Sequence, residues 1–126
     1  MLNESYLTKE EIIKVERPWG WYTTIHGNDT IGYKVKKIGV KPKERLSLQS
    51  HNKRSEHWVI VNGKAKVQIG NDFFELQKNQ HVFIPKETLH RIENIGEDMV
   101  IFIETQIGDY LGEEDIIRYK DDYNRS

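Results

Sequence analysis

From Trp19 onward the apolar residues fall in short runs rich in Val, Ile, Tyr, Phe and Thr, and Gly, Asn, Asp and Pro break the runs apart. Branched and aromatic side chains fit a pleated surface and the breakers supply turn geometry, so this pattern belongs to short β-strands. Nine strands are predicted, over 21–26, 33–40, 45–51, 56–61, 65–69, 73–76, 81–84, 90–94 and 99–105. Asn62-Gly63 and Gly70-Asn71-Asp72 are the sharpest turn signals, and both suit tight antiparallel hairpins. The ends read differently. Thr8-Lys9-Glu10-Glu11 has capping-box spacing with Ile12, Ile13 and Val15 behind it, which predicts a short helix from about Lys9 until Pro18 forbids continuation. In the mixed-charge tail, Glu113-Glu114-Asp115-Ile116-Ile117-Arg118 predicts a helical turn against the barrel. The expected architecture is all-β: one jelly-roll barrel over 17–107, an N-terminal arm with a short helix over 1–16, and a short helical tail over 108–126.

Side-chain alternation then places candidate chemistry. Residues two apart in a strand face the same way, so Gln49 and His51 present their side chains together. Asn52-Lys53-Arg54-Ser55 reads as a short polar connection that returns Glu56 beside them as part of a hairpin. His90 follows the turn signal Pro85-Lys86-Glu87-Thr88 and opens another strand. Two imidazoles, one carboxylate and one amide oxygen form a donor set for a divalent cation that keeps Lewis acidity and room for a substrate, unlike the closed cysteine-rich sites of structural zinc. Zinc is the first choice, with manganese, iron, cobalt or nickel compatible with the same donors. His26 and His81 lack such a pattern and are expected at the surface; Trp19, Trp21 and Trp58 are expected in the core or barrel wall.

Bulk properties narrow the class. The 126 residues suit a single domain, and a net charge of −1 offers no excess of either sign for nucleic acid or an anionic membrane. No run is apolar enough to span a bilayer, and Met1-Leu2-Asn3-Glu4-Ser5 lacks the start of a secretory signal. The absence of cysteine removes disulfides and thiolate chemistry, and the cytoplasm is the expected compartment.

Gln49-Ser50-His51-Asn52-Lys53-Arg54-Ser55-Glu56-His57-Trp58, with Gly63 after it, resembles the first cupin motif of type II mannose-6-phosphate isomerases, where Gln stands in for the first His. Pro85 with His90-Arg91-Ile92-Glu93-Asn94 resembles the second motif, and Arg17-Pro18-Trp19-Gly20 and the segment from Tyr110 to Arg118 are similar to the flanks of that family. Asn79, Glu87 and Asn124 stand where glycine is usual in the family. Many members carry a guanylyltransferase domain; these residues hold no Gly-rich phosphate loop, so guanylyl transfer is not expected of this chain.

The resemblance implies a metal-dependent interconversion of mannose 6-phosphate and fructose 6-phosphate through an enediol, in nucleotide-sugar and polysaccharide precursor synthesis. The candidate bases are Glu104, on the strand face shared by Val100 and Phe102, and its rivals His57 and Lys36. For the substrate phosphate Arg91 is the first candidate, with Arg54, Arg118 and Lys36 as helpers. Two other readings share the barrel, a nucleotide-sugar epimerase or ketoisomerase and a non-catalytic sugar-binding cupin. A homodimer paired through sheet edges is the expected assembly.

Overall fold

A computed structural model describes residues 14–123. Among them there are eleven strands and no helix: β1 (Val15–Arg17), β2 (Gly20–Gly27), β3 (Tyr33–Val40), β4 (Leu48–Ser50), β5 (Arg54–Asn62), β6 (Ala65–Ile69), β7 (Asp72–Leu76), β8 (His81–Ile84), β9 (His90–Asn94), β10 (Val100–Gly108) and β11 (Ile117–Lys120). The strands pair antiparallel in two sheets, β1-β2-β3-β10-β5-β8 and β11-β4-β9-β6-β7. These are the two layers of the expected jelly roll.

All nine expected strands form, with shifts at their ends, and the two helices do not. Residues 15–17 of the expected N-terminal helix are β1, which pairs with β2 through Val15↔Tyr22; the rest of that helix before Lys14 lies outside the described residues. In the tail, Glu113-Glu114 make only a turn, and β11 follows it, paired with β4 through Ile117↔Ser50 and Arg118↔Gln49. Strand β4 meets its other neighbour β9 only at Gln49↔His90, so β11 satisfies backbone groups that a helix would leave unpaired. Adjacent β-branched Ile116 and Ile117 also favour the extended form.

Two expected hairpins are crossings between sheets. Gly70-Asn71 does join the paired strands β6 and β7. The Asn62-Gly63 turn instead carries the chain from β5 in one sheet to β6 in the other. Gly63 holds φ of 87°, and a Cβ there would lie 2.5 Å from the Met99 carbonyl oxygen, so the crossing needs glycine. Residues 51–53 likewise cross from β4 to β5, and Arg54, expected in a polar loop, is the first residue of β5.

The inward faces of β3, β5 and β10 change character along their length. Ile38, Phe102 and Ile60 lie side by side, as do Val40 and Val100, and all five are buried. Further along the same faces come Lys36, Glu104 and Trp58, then Lys34, Gln106 and Glu56. The barrel is thus apolar at one end and polar at the other. Trp19, Val67, Ile84 and Ile92 complete the apolar end, and Trp21 is also fully enclosed, as expected of the tryptophans. His26 and His81 are exposed. Asn94 ties the sheets at the apolar end, its amide donating 2.8 Å bonds to the carbonyls of Val40 and Asp98.

Asn79 and Glu87 both adopt the left-handed conformation, with φ of 76° and 61°. Asparagine tolerates it and glutamate does so at a cost. Glu87 is held there by its backbone N–H, which donates to the His51 carbonyl at 2.7 Å. Glu87→Gly keeps that bond and removes the strain, so we expect a net gain of about 0.5 kcal/mol after the entropy of the new glycine is counted. A urea melt checks this; a lower midpoint would show that Glu87 is not strained.

Candidate metal centre and active site

The polar end of the barrel encloses a cavity of about 140 Å³, lined by Arg17, Trp19, Tyr22, Lys36, Ile38, Leu46, Gln49, His51, Arg54, Glu104, Glu113, Ile116 and Arg118. His51 of this lining, Glu56 and His90, all buried, bring one potential ligand atom each to within 4.8 Å of one another. His51 Nε2 lies 3.3 Å from Glu56 Oε2, and His90 Nε2 lies 4.0 Å from Glu56 Oε1. The imidazole centroids are 5.1 Å apart. These residues come from the crossing after β4, from β5 and from β9, so the packing of one sheet on the other creates the cluster.

The outer nitrogens are fixed by backbone. His51 Nδ1 is 2.7 Å from the Asp115 carbonyl oxygen, and His90 Nδ1 is 2.9 Å from that of Thr88. A carbonyl only accepts, so each Nδ1 carries a proton and each Nε2 is left on the Glu56 side of its ring. Burial, the largest influence, outweighs the Glu56 carboxylate and holds His51 at a pKa of about 4, which keeps the ring neutral. Metal-ligating histidines carry this type of outer partner. Gln49 faces the same cavity, and its amide nitrogen donates to Ser47 Oγ at 2.9 Å, leaving the amide oxygen as the available donor atom. The donor set and tautomers therefore fit a divalent ion.

Glu56 is 2% exposed. Burial alone would raise its pKa, but Arg54, His90 and His51 beside it and the Trp58 N–H hold it at about 2. Arg54 Nε donates to Oε2 at 2.8 Å and Trp58 Nε1 to Oε1 at 2.8 Å. Glu104 is also buried, and its environment acts the other way. Burial, then the Glu56 charge, push it up to about 7 against Arg54 and Lys36. Gln106 Nε2 donates to Glu104 Oε2 at 2.5 Å.

Of the other expected site residues, Lys36, Arg54, Glu104 and Arg118 line the cavity. Two do not. Strand alternation turns His57 to the barrel exterior, where it is exposed and its ring sits 4.8 Å from that of Phe83. By the same alternation Arg91 faces away from its neighbour His90, and its guanidinium donates to the carbonyls of Leu46 and Lys120 on the outer side of the five-stranded sheet. The structure also recruits groups that the sequence did not mark. Glu113 pairs with Lys36 at 2.5 Å and lies 3.8 Å from Lys34, and Lys36 Nζ sits 4.3 Å from the centre of the Tyr22 ring. The Asp115 carboxylate accepts from the backbone N–H groups of Asn52 and Lys53. Trp58 is a core residue with a second use, since its N–H serves Glu56.

A buried His–Glu–His cluster at the polar end of an antiparallel double-sheet barrel defines a cupin with a candidate metal centre. Solved structures agree on the fold. The cupin domain of Schizosaccharomyces pombe Cnp3 superposes with a TM-score of 0.72 at 14% identity, covering 81% of this chain and 72% of that one. Oxalate decarboxylase from Bacillus subtilis superposes with a TM-score of 0.75 at 14% identity, covering 89% of this chain and 31% of that one. The chain belongs to the family described as mannose-6-phosphate isomerase C-terminal, whose profile matches residues 4–121. Curated relatives include the xanthan biosynthesis protein XanB of Xanthomonas campestris pv. campestris (strain B100), 45% identical over 90% of this chain and 24% of that protein. They also include the alginate biosynthesis protein AlgA of Pseudomonas syringae pv. tomato (43% identical, 99% of this chain, 26% of that protein) and the mannose-1-phosphate guanylyltransferase of Escherichia coli K12 (46% identical, 89% and 23%). The chain thus spans about a quarter of the length of these relatives.

His51→Ala removes one imidazole and leaves the apolar end untouched, so we expect loss of bound divalent ion with the β-sheet circular dichroism retained. Metal analysis of dialysed protein reads the first and far-ultraviolet spectra the second; undiminished metal content would remove His51 from the ligand set.

Proposed function

We propose that this chain is a metal-dependent aldose–ketose isomerase that interconverts mannose 6-phosphate and fructose 6-phosphate. The observation that carries the reading is the grouping of three kinds of side chain at one end of the barrel: the His51–Glu56–His90 cluster, which reaches the cavity through His51, a buried carboxyl poised near neutrality, and a cationic wall. The family profile over residues 4–121 supports the substrate class. Zinc remains the first choice of ion on donor chemistry.

A divalent ion held by His51, Glu56 and His90, with Gln49 as a fourth donor, supplies Lewis acidity for the charge that develops on the sugar oxygens. Glu104 is the base of this scheme. A carboxyl near 7 accepts a proton from carbon 2 of the aldose and returns it to carbon 1 with little mismatch at neutral pH. Lys36, across the β3–β10 ladder from Glu104, stands where it donates to the hydroxyl oxygens. Arg118 and Arg17 on the wall are the phosphate partners, taking the role first given to Arg91, while Arg54 is engaged with Glu56. Guanylyl transfer is no part of this reading, because the 126 residues carry no Gly-rich phosphate loop. Relatives named for alginate and xanthan biosynthesis suit a role in supplying polysaccharide precursors.

Mannose 6-phosphate turnover is expected with added zinc or cobalt and is expected to vanish on chelation; full turnover in metal-stripped protein would sink the reading. Glu104→Gln tests the base in two ways. Turnover should fall by about a hundredfold or more, the usual scale of a lost general base. The raised pKa also fixes a sign: the folded chain holds a proton that the unfolded chain releases, so between the carboxylate reference of 4.5 and about 7 stability falls as pH rises. Metal-free Glu104→Gln should therefore melt a few degrees above the unsubstituted protein at pH 8 and show no such gain near pH 4. A gain of equal size at both pH values would contradict the assignment.

A further inference from the structure

We infer that Arg54 is a built-in, displaceable occupant of the cation site, whose guanidinium and a divalent ion compete for the same lone pairs on His51 and Glu56. The stereochemistry at His51 carries the argument. With Nδ1 protonated toward the Asp115 carbonyl, Nε2 has a single lone pair in the ring plane. Arg54 Nη2 lies 3.1 Å from that nitrogen and donates an N–H to its lone pair. One lone pair cannot serve an N–H and a cation together, so ligation through His51 Nε2 requires Arg54 to let go.

The same arginine neutralises Glu56 through Nε at 2.8 Å. A buried carboxylate without a partner is strongly destabilising, so the guanidinium keeps the cluster assembled between binding events. It also has somewhere to go. Glu104 Oε2 lies 3.9 Å from Nη2, within reach of a side-chain rotation. The backbone need not follow, because Arg54 is paired with Gly108 in the β10 ladder and Asp115 grips the N–H groups of Asn52 and Lys53 before it. Loading the ion therefore hands Arg54 from His51 toward Glu104, and metal affinity is set below what the three ligands alone would give.

The inference rests on the metal-site reading and is independent of the sugar reaction. The test is a cobalt titration, followed by visible absorbance, of the metal-stripped protein and of Arg54→Met and Arg54→Lys, with melting curves of each metal-free and cobalt-saturated. Arg54→Met removes both the charge and the competing N–H groups and should bind cobalt at least about tenfold more tightly, the scale of a charge-assisted hydrogen bond. Arg54→Lys keeps the charge but has one short ammonium head in place of a fork spanning Glu56 and His51, so it should bind several-fold more tightly. Both should melt lower than the unsubstituted protein without metal and recover that loss with saturating cobalt. Arg54→Lys binding at unchanged or lower affinity would overturn the inference, since charge repulsion alone would then explain the Met variant. Cobalt bound by none of the three would overturn the metal site with it, whereas competition without mannose 6-phosphate turnover would fault only the isomerase.

Discussion

The polar half of this barrel depends on one buried carboxylate. Glu56 faces His51 and Arg54 from one oxygen and His90 and Trp58 from the other, and an ionised group so enclosed persists only while those partners stay in place. Its charge propagates. It contributes to the raised pKa of Glu104, and it gives Arg54 a reason to lie inside the barrel at 6% exposure. Two buried carboxyls at one end of the barrel thus separate into an anion fit for a cation and a group that titrates near neutral pH, a division made by environment rather than residue type.

That environment is affordable because stability is assembled elsewhere. The layers of Val40 and Val100, and of Ile38, Phe102 and Ile60, close one end, and the Asn94 amide bridges the sheets beside them. Trp58 marks the boundary, packing 5.1 Å from Phe102 while its N–H reaches Glu56. Below that ring, burial removes water from the apolar core; above it, burial perturbs titratable groups.

Much of this was legible. Alternation and turn residues marked nine of the eleven strands, all but β1 and β11, and the pair spacing of Gln49 and His51 put both on the cavity side. The same rule of alternation, applied to Arg91 and His57, predicts the outward faces that the structure shows; adjacency in sequence to a candidate ligand was a poorer guide than parity. Which strands share a sheet was not legible. The turns at Asn62-Gly63 and after His51 look like hairpin turns locally, and only the global closure of two sheets makes them crossings. The helix expected before Pro18 and the one after Gly112 had local signals of capping and charge, and over residues 15–17 and 117–120 the demand of sheet edges for backbone partners prevailed.

The tail is where sequence reading had least to work with, and it completes the site. Its key contribution to His51 is a backbone carbonyl at Asp115, which any residue could provide and no motif records. Glu113 and Asp115 fasten the segment at two places: Lys36 of β3 holds the first, and the N–H groups of Asn52 and Lys53, on the crossing after β4, hold the second. Leu111, fully buried, supplies an apolar anchor just before them. Both fastenings are ionic or charge-assisted, and one of them, Lys36 with Glu113, lies on the cavity wall, so the roof of the site shares charges with the site itself. A change in charge at Lys36 alters Glu104 and loosens Glu113 together, while the Asp115 carbonyl that fixes His51 keeps its own fastening at Asn52 and Lys53.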